Sequence, residues 1–164
     1  MSDSSSFSFQ EGSSIRVRSY DPTDEVFVLS LAPRLVIGIP AWRDADKMLA
    51  TVQRWLAKSI GQHGTETMLF IVEEEQGERL GFASVSHDSH FTGVKQAEIG
   101  ELAVIEAAEG RGVGRALVMA CEQWAREQGY RFLALGTGAA NARARGFYRN
   151  LNFLEEDVRL VKLL

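Results

Sequence analysis

The stretch that decides the reading is residues 98–115, EIGELAVIEAAEGRGVGR. It reads as a strand, a short turn, and then Gly110-Arg111-Gly112-Val113-Gly114 opening a helix. Glycines there let the backbone approach a ligand with no Cβ in the way. The first turn of the following helix leaves N–H groups unpaired at the positive end of the helix dipole. That combination suits a pyrophosphate, with Arg111 and Arg115 close by to add charge. Two other glycine-rich motifs share this physics. A P-loop needs Lys and then Ser or Thr after its last glycine, whereas Arg115-Ala116 follows here. A dinucleotide fingerprint GxGxxG would need glycine at Arg115 or Leu117, and it would follow the first strand of a βαβ unit.

Working outward, three strand-like runs precede the turn, at residues 68–75, 80–87 and 96–105. Upstream, residues 15–20 alternate as a strand with one wet face. Asp21-Pro22-Thr23-Asp24 supplies turn and N-cap chemistry for a short helix to about Leu31. Residues 32–42, APRLVIGIPAW, carry two prolines and a glycine and are expected to be a loop. Residues 44–60 have Met48, Leu49, Val52, Trp55 and Leu56 at amphipathic-helix spacing. Downstream, helices at residues 112–128 and 141–151 flank a strand at 131–137, and a closing strand is expected at 158–163. The fold class is α/β (α+β): a mixed, mostly antiparallel central sheet with helices on both faces. Residues 1–14 are Ser-rich and expected to be a disordered tail, with residues 15–164 forming one domain.

The 164 residues carry 45% hydrophobic and 24% charged side chains, ordinary for a globular chain. A net charge of −4 argues against a nucleic-acid partner. No apolar run approaches the ~20 residues of a membrane span. One cysteine, Cys121, excludes an internal disulfide and fits a reducing, cytoplasmic setting. It lies on the buried stripe with Val113, Leu117 and Trp124 and reads as core. His87 and His90 flank a hairpin turn and could line an acceptor site, but with no third ligand no metal is expected. The run Glu73 to Glu75 reads as a solvated strand end.

These motifs resemble the GNAT superfamily of N-acetyltransferases, whose acetyl-CoA loop is Gln/Arg-x-x-Gly-x-Gly/Ala after a strand ending Leu-x-Val. Here the strand ends Leu102-Ala103-Val104, and Gly112 and Gly114 take the glycine positions. Thr137-Gly138, Asn141, Ala144, Phe147-Tyr148 and Asn152-Phe153 match the family's downstream signature. Glu109 departs from the pattern, standing where the family has Gln or Arg; its carboxylate either points to solvent or weakens CoA binding. Asn152 replaces a glycine, a mild change because Asn tolerates left-handed geometry.

The resemblance implies acetyl-CoA as co-substrate, an amine of a small molecule or peptide as acceptor, and direct attack in a ternary complex. It implies cofactor contacts from Leu102, Ala103, Val104, Glu109, Gly110, Arg111, Gly112, Val113, Gly114, Arg115, Asn141 and Tyr148. The N–H of Val104 would face the thioester carbonyl. Tyr148 would protonate the departing thiolate, unless it is simply a core aromatic on the stripe Ala144, Phe147, Tyr148, Leu151. Glu98, which stands where some family members carry a catalytic Glu, or else Glu101 would take the proton from the amine; if both are ordinary wet-face carboxylates, water carries it. Three residues apart on an ideal strand, they face opposite sides unless a bulge intervenes. The apolar segment 32–43 suggests an acceptor with a hydrophobic part, or a homodimer contact. A CoA-binding regulatory module without turnover, and a dinucleotide-binding oxidoreductase, are the competing readings.

Overall fold

The computed structural model describes residues 15–164; the Ser-rich segment 1–14 lies outside the described residues. Five strands form one sheet in the order β1-β2-β3-β4-β5: Ile15–Ser19, Thr67–Glu74, Arg79–Ser89, Lys95–Val104 and Leu133–Leu135. The first four pair antiparallel, and β5 lies parallel to β4. Helices α1 (Glu25–Ser30) and α2 (Ala45–Gly61) precede β2, while α3 (Val113–Glu127) and α4 (Ala142–Asn150) flank β5. The mixed, mostly antiparallel sheet with helices on both faces is therefore present.

Strand alternation sorts the core into two layers. Phe82, Leu69 and Ile71 pack with Val28, Val52 and Leu56 from α1 and α2 on one face. Ala83, Val85, Ala97 and Ile99 pack with Val113, Leu117, Cys121 and Trp124 of α3 on the other. Cys121 is fully buried, and burial raises its thiol pKa well above the ordinary value, as befits a core residue.

The β1 end of the sheet is fastened by ions. Asp24 is fully buried and accepts from Arg18 at 2.7 and 2.9 Å, from Arg79 Nε at 2.5 Å and from the Asp21 N–H at 2.8 Å. Burial opposes ionisation of Asp24, yet Arg18 and Arg79 outweigh it and hold the carboxyl at about 2. Glu73, expected to be solvated, is buried instead, accepting from Arg18 at 2.8 Å and Arg16 at 2.7 Å. It sits on β2 opposite Arg16 of β1, where guanidinium groups can reach and cover it.

Three further expectations change. Residues 32–42 contain a 3-10 turn, Ala32–Val36, started by Pro33 near its N-terminus. The strand expected at 131–137 contracts to three residues. The closing strand expected at 158–163 does not form, and Val158 and Leu160 are exposed. A strand needs a partner edge, and β5 offers only three residues of one.

Candidate active site

β4 pairs with β5 only from Ala97 to Ile99, after which the two strands part. Beyond that point, among the described residues, β4 is paired with a strand on one side alone. Ile105 donates to Leu80 O at 2.9 Å, and hydrogen-bonded pairs alternate along an antiparallel ladder. The pairs Phe82–Ala103 and Leu80–Ile105 are therefore bonded, whereas Gly81–Val104 and Ala83–Leu102 turn their backbone groups away from β3. Leu102 and Val104 thus present N–H and C=O to the gap left by β5, and the Ala103 backbone is spent on β3. Arg34 Nε reaches the Val104 carbonyl across that gap at 3.2 Å.

At the end of β4 a 3-10 turn, Glu106–Ala108, leads into the glycine loop. Gly110 and Gly112 have φ of +75° and +81°, and a Cβ at either would meet open space. Their need for glycine is thus conformational. The first helical bond of α3 runs from Ala116 to Gly112 O. Among the described residues, no acceptor is found for the N–H groups of Gly110, Gly112, Val113, Gly114 and Arg115. Gly114 has a different reason to lack a side chain, since a Cβ there would lie 3.1 Å from the Phe147 ring of α4.

The loop's charged residues differ from expectation. Arg111 pairs with Glu74 of β2, which turns it away from the loop. Glu109 does not point to solvent: it accepts from Arg34 and, at 2.5 Å, from Arg143 Nη1. Arg143 first, and Arg34 after it, hold the Glu109 carboxyl below its ordinary pKa. Arg115 forms no ion pair among the described residues and stands exposed on the first turn of α3.

Glu98 and Glu101 are brought to the same face. Between Ala83–Leu102 and Val85–Ile99 the register shifts, so Gly100 and Glu101 together oppose Ser84. This bulge restores Glu101 to the side of Glu98, the α2 face. Glu101 is buried and accepts from Ser84 Oγ and, at 3.0 and 3.2 Å, from Ser59 Oγ of α2. Glu98 makes no such bonds among the described residues. Its pKa is raised, first by burial and then by the charges of Asp88 and Glu101. A glycine interrupting a strand was the sequence signal for this bulge.

Tyr148 lies on α4 with its ring edge-on to Phe147 and Phe153, at 5.0 and 5.5 Å between centroids. Burial pushes its hydroxyl up to about 12. The hydroxyl has no partner among the described residues, yet it is not sealed from the surface. Asn141 caps α4, its Oδ1 accepting from Ala144 N–H at 3.1 Å. Its Nδ2 reaches the Ile37 carbonyl at 3.4 Å, tying the 3-10 loop to α4. Asn152 adopts φ +66°, the left-handed geometry expected of it. His87 faces away from Glu98: it packs on Trp124 of α3 and bonds Tyr130 at 2.5 Å.

A β4–β5 gap lined by the Leu102 and Val104 backbone, leading to a helix start rich in unpaired N–H donors, offers a continuous path for an extended ligand with an anionic end. Residues 35–153 match the acetyltransferase (GNAT) family, and the chain belongs to it. It is 34% identical over 125 residues to an aminoglycoside N(6')-acetyltransferase type 1 of Stenotrophomonas maltophilia, covering 73% of this chain and 76% of that protein. Among solved structures it is similar to aminoglycoside N-acetyltransferase AAC(6')-Iy in complex with CoA. That match has a TM-score of 0.66 and 23% identity, covering 95% of this chain and 97% of the other. It is also similar to a Trypanosoma brucei acetyltransferase, with a TM-score of 0.62 and 20% identity over 92% of this chain and 99% of the other. At those identities the structural likeness is one of fold. No described helix is long and apolar enough to cross a membrane.

Proposed function

We propose that this acetyltransferase moves the acetyl group of acetyl-CoA to a primary amine of a small molecule or peptide, by direct attack in a ternary complex. The observation that carries the proposal is the set of unpaired N–H donors at residues 110 and 112–115, continuous with the Leu102 and Val104 backbone in the β4–β5 gap. The pyrophosphate takes the first, and the pantetheine arm pairs with the second as an added strand would.

Glu98 is the general base in this reading. An alkylammonium has a pKa near ~10.4, so the amine must lose a proton before it attacks. A carboxylate with raised pKa is a better acceptor for that proton than an ordinary one. Its neighbours Asp88 and Glu101 also make the approach to this face acidic, which favours a cationic acceptor. The Val104 N–H polarises the thioester carbonyl. Tyr148 stays protonated throughout the neutral range and gives its proton to the thiolate as the C–S bond breaks. Glu101, held by Ser59 and Ser84, positions the bulge beside Glu98.

Among amines, the relative from Stenotrophomonas maltophilia points first to polycationic amino sugars, and the acidic face suits them. Glu109 gives no support to a CoA-binding module without turnover, because two arginines neutralise it. The test is calorimetric titration with acetyl-CoA, followed by thiol release with a panel of aminoglycosides, polyamines and peptides. Binding with amine-dependent thiol release supports the proposal. Absence of acetyl-CoA binding overturns it.

A further inference from the structure

We infer that Arg143, held in place by Glu109, is a phosphate-binding residue of the CoA site, and that Glu109 is a positioning residue whose charge the site requires. The inference rests on the acetyl-CoA reading above. It starts from a conflict: a carboxylate stands immediately before Gly110, where the family pattern has Gln or Arg, next to donors arranged for a pyrophosphate.

The structure resolves the conflict by importing cations from two distant elements. Arg34 comes from the 3-10 turn Ala32–Val36 and Arg143 from the first turn of α4, each taking one oxygen of Glu109. The pattern's single Arg would bring one positive charge. One carboxylate with two guanidinium groups brings the same net charge, displaced from the loop to its rim. The two arginines are not equivalent. Arg34 is three-quarters buried and divides its donors between Glu109 and the Val104 carbonyl. Arg143 has a side chain 73% exposed and uses only Nη1 among the described residues. Its Nη2 and Nε have no protein partner among the described residues, leaving a fork of the kind that binds phosphate in a bidentate manner.

Other loop arginines do not supply this. Arg111 is paired with Glu74 on the far side, and Arg115 has no anchor holding its side chain. A guanidinium ordered in advance loses less entropy when it meets phosphate, so Glu109 helps CoA binding despite its sign.

The test compares wild type, Arg143→Ala, Arg143→Lys and Glu109→Gln by calorimetry with acetyl-CoA, and by NMR titration with S-acetylpantetheine, which lacks the phosphates. Arg143→Ala should weaken acetyl-CoA about tenfold and leave S-acetylpantetheine unchanged. Arg143→Lys should recover only part of the loss, since the fork is gone. Glu109→Gln should weaken acetyl-CoA by about threefold or more, and the double variant should lose little beyond Arg143→Ala alone. Equal affinity of Arg143→Ala and wild type for acetyl-CoA overturns the inference and leaves the acetyl-CoA reading standing. Equal losses for both ligands make Arg143 structural and overturn it as well. Tighter binding by Glu109→Gln would mean that Glu109 withholds Arg143, which refutes the positioning role. Failure of wild type to bind acetyl-CoA removes the functional reading and this inference with it.

Discussion

Replacing Asp24 by Asn keeps the shape of a side chain that accepts three guanidinium contacts and one backbone N–H in a fully buried site. The amide retains one acceptor oxygen and turns an N–H₂ toward two arginines. Removing one member of a buried ion cluster typically costs about 3–5 kcal/mol, because the partner charges stay behind. Here Arg18 keeps Glu73 as a second acceptor, so the lower end, about 3 kcal/mol, is expected. With a urea m-value of about 2 kcal/mol/M, the midpoint should fall by about 1.5 M. The pH dependence has a definite sign. The folded carboxyl sits at about 2, below its unfolded value of about 3.9, so its contribution is complete above pH about 4. It is lost as the pH falls through about 2. Urea melts of wild type and D24N at pH 7, 4 and 2.5 should show a gap that is constant between the first two and narrows at the third. A gap that is the same at pH 2.5, or one below about 1 kcal/mol at pH 7, would refute the assigned role of the cluster.

The remaining predictions concern turnover and the loop. Glu98→Gln should lower kcat/KM by about a hundredfold at neutral pH and abolish an acidic limb that lies above the ordinary carboxylate range, read from a pH–rate profile. Retention of that limb would exclude Glu98 as the base. Tyr148→Phe should slow turnover by about tenfold or more with acetyl-CoA affinity unchanged, and wild type should show no alkaline limb from Tyr148 below pH about 10, given a hydroxyl at about 12. Gly114→Val drives a side chain into the Phe147 ring and should cost about 1–3 kcal/mol in a denaturation melt while weakening acetyl-CoA. Unchanged stability would mean that α4 can move off α3 freely.

Much of the architecture was legible because each element advertises itself locally. The alternation at β1, the stripe Met48, Leu49, Val52, Leu56 of α2, and the glycine turn before α3 are each short-range signals. What was hidden depends on contacts between distant residues. Glu73 reads as wet from its neighbours Glu74 and Glu75, and only the pairing with β1 lays Arg16 and Arg18 over it. Glu109 is an anomaly in the motif until residues 34 and 143 are brought to it by the fold. The phase of β4 lies between these cases. Ile99 and Leu102 both face α3, a step of three that period-two alternation forbids, and Gly100 between them marks the slip. The closing strand failed for the opposite reason, since a local pattern was present and no edge of matching length was there to receive it.

The contact between the 3-10 loop and α4 constrains how this protein can diverge. Gly38 has φ +82°, and a Cβ on it would fall 2.7 Å from Asn141 Cβ, while Gly138 lies against the Gly38 carbonyl. Residue 38 and, about a hundred positions later, residues 138 and 141 therefore form one steric unit: a side chain at 38 has no room unless residue 141 moves, and one at 138 crowds the Gly38 carbonyl. The side chains of Ile37 and Trp42 on either side are exposed, and Ile37 gives only its backbone carbonyl to Asn141. Side-chain variation, whether natural or imposed by a directed-evolution library, has room at those flanking positions, whereas Gly38 between them has none.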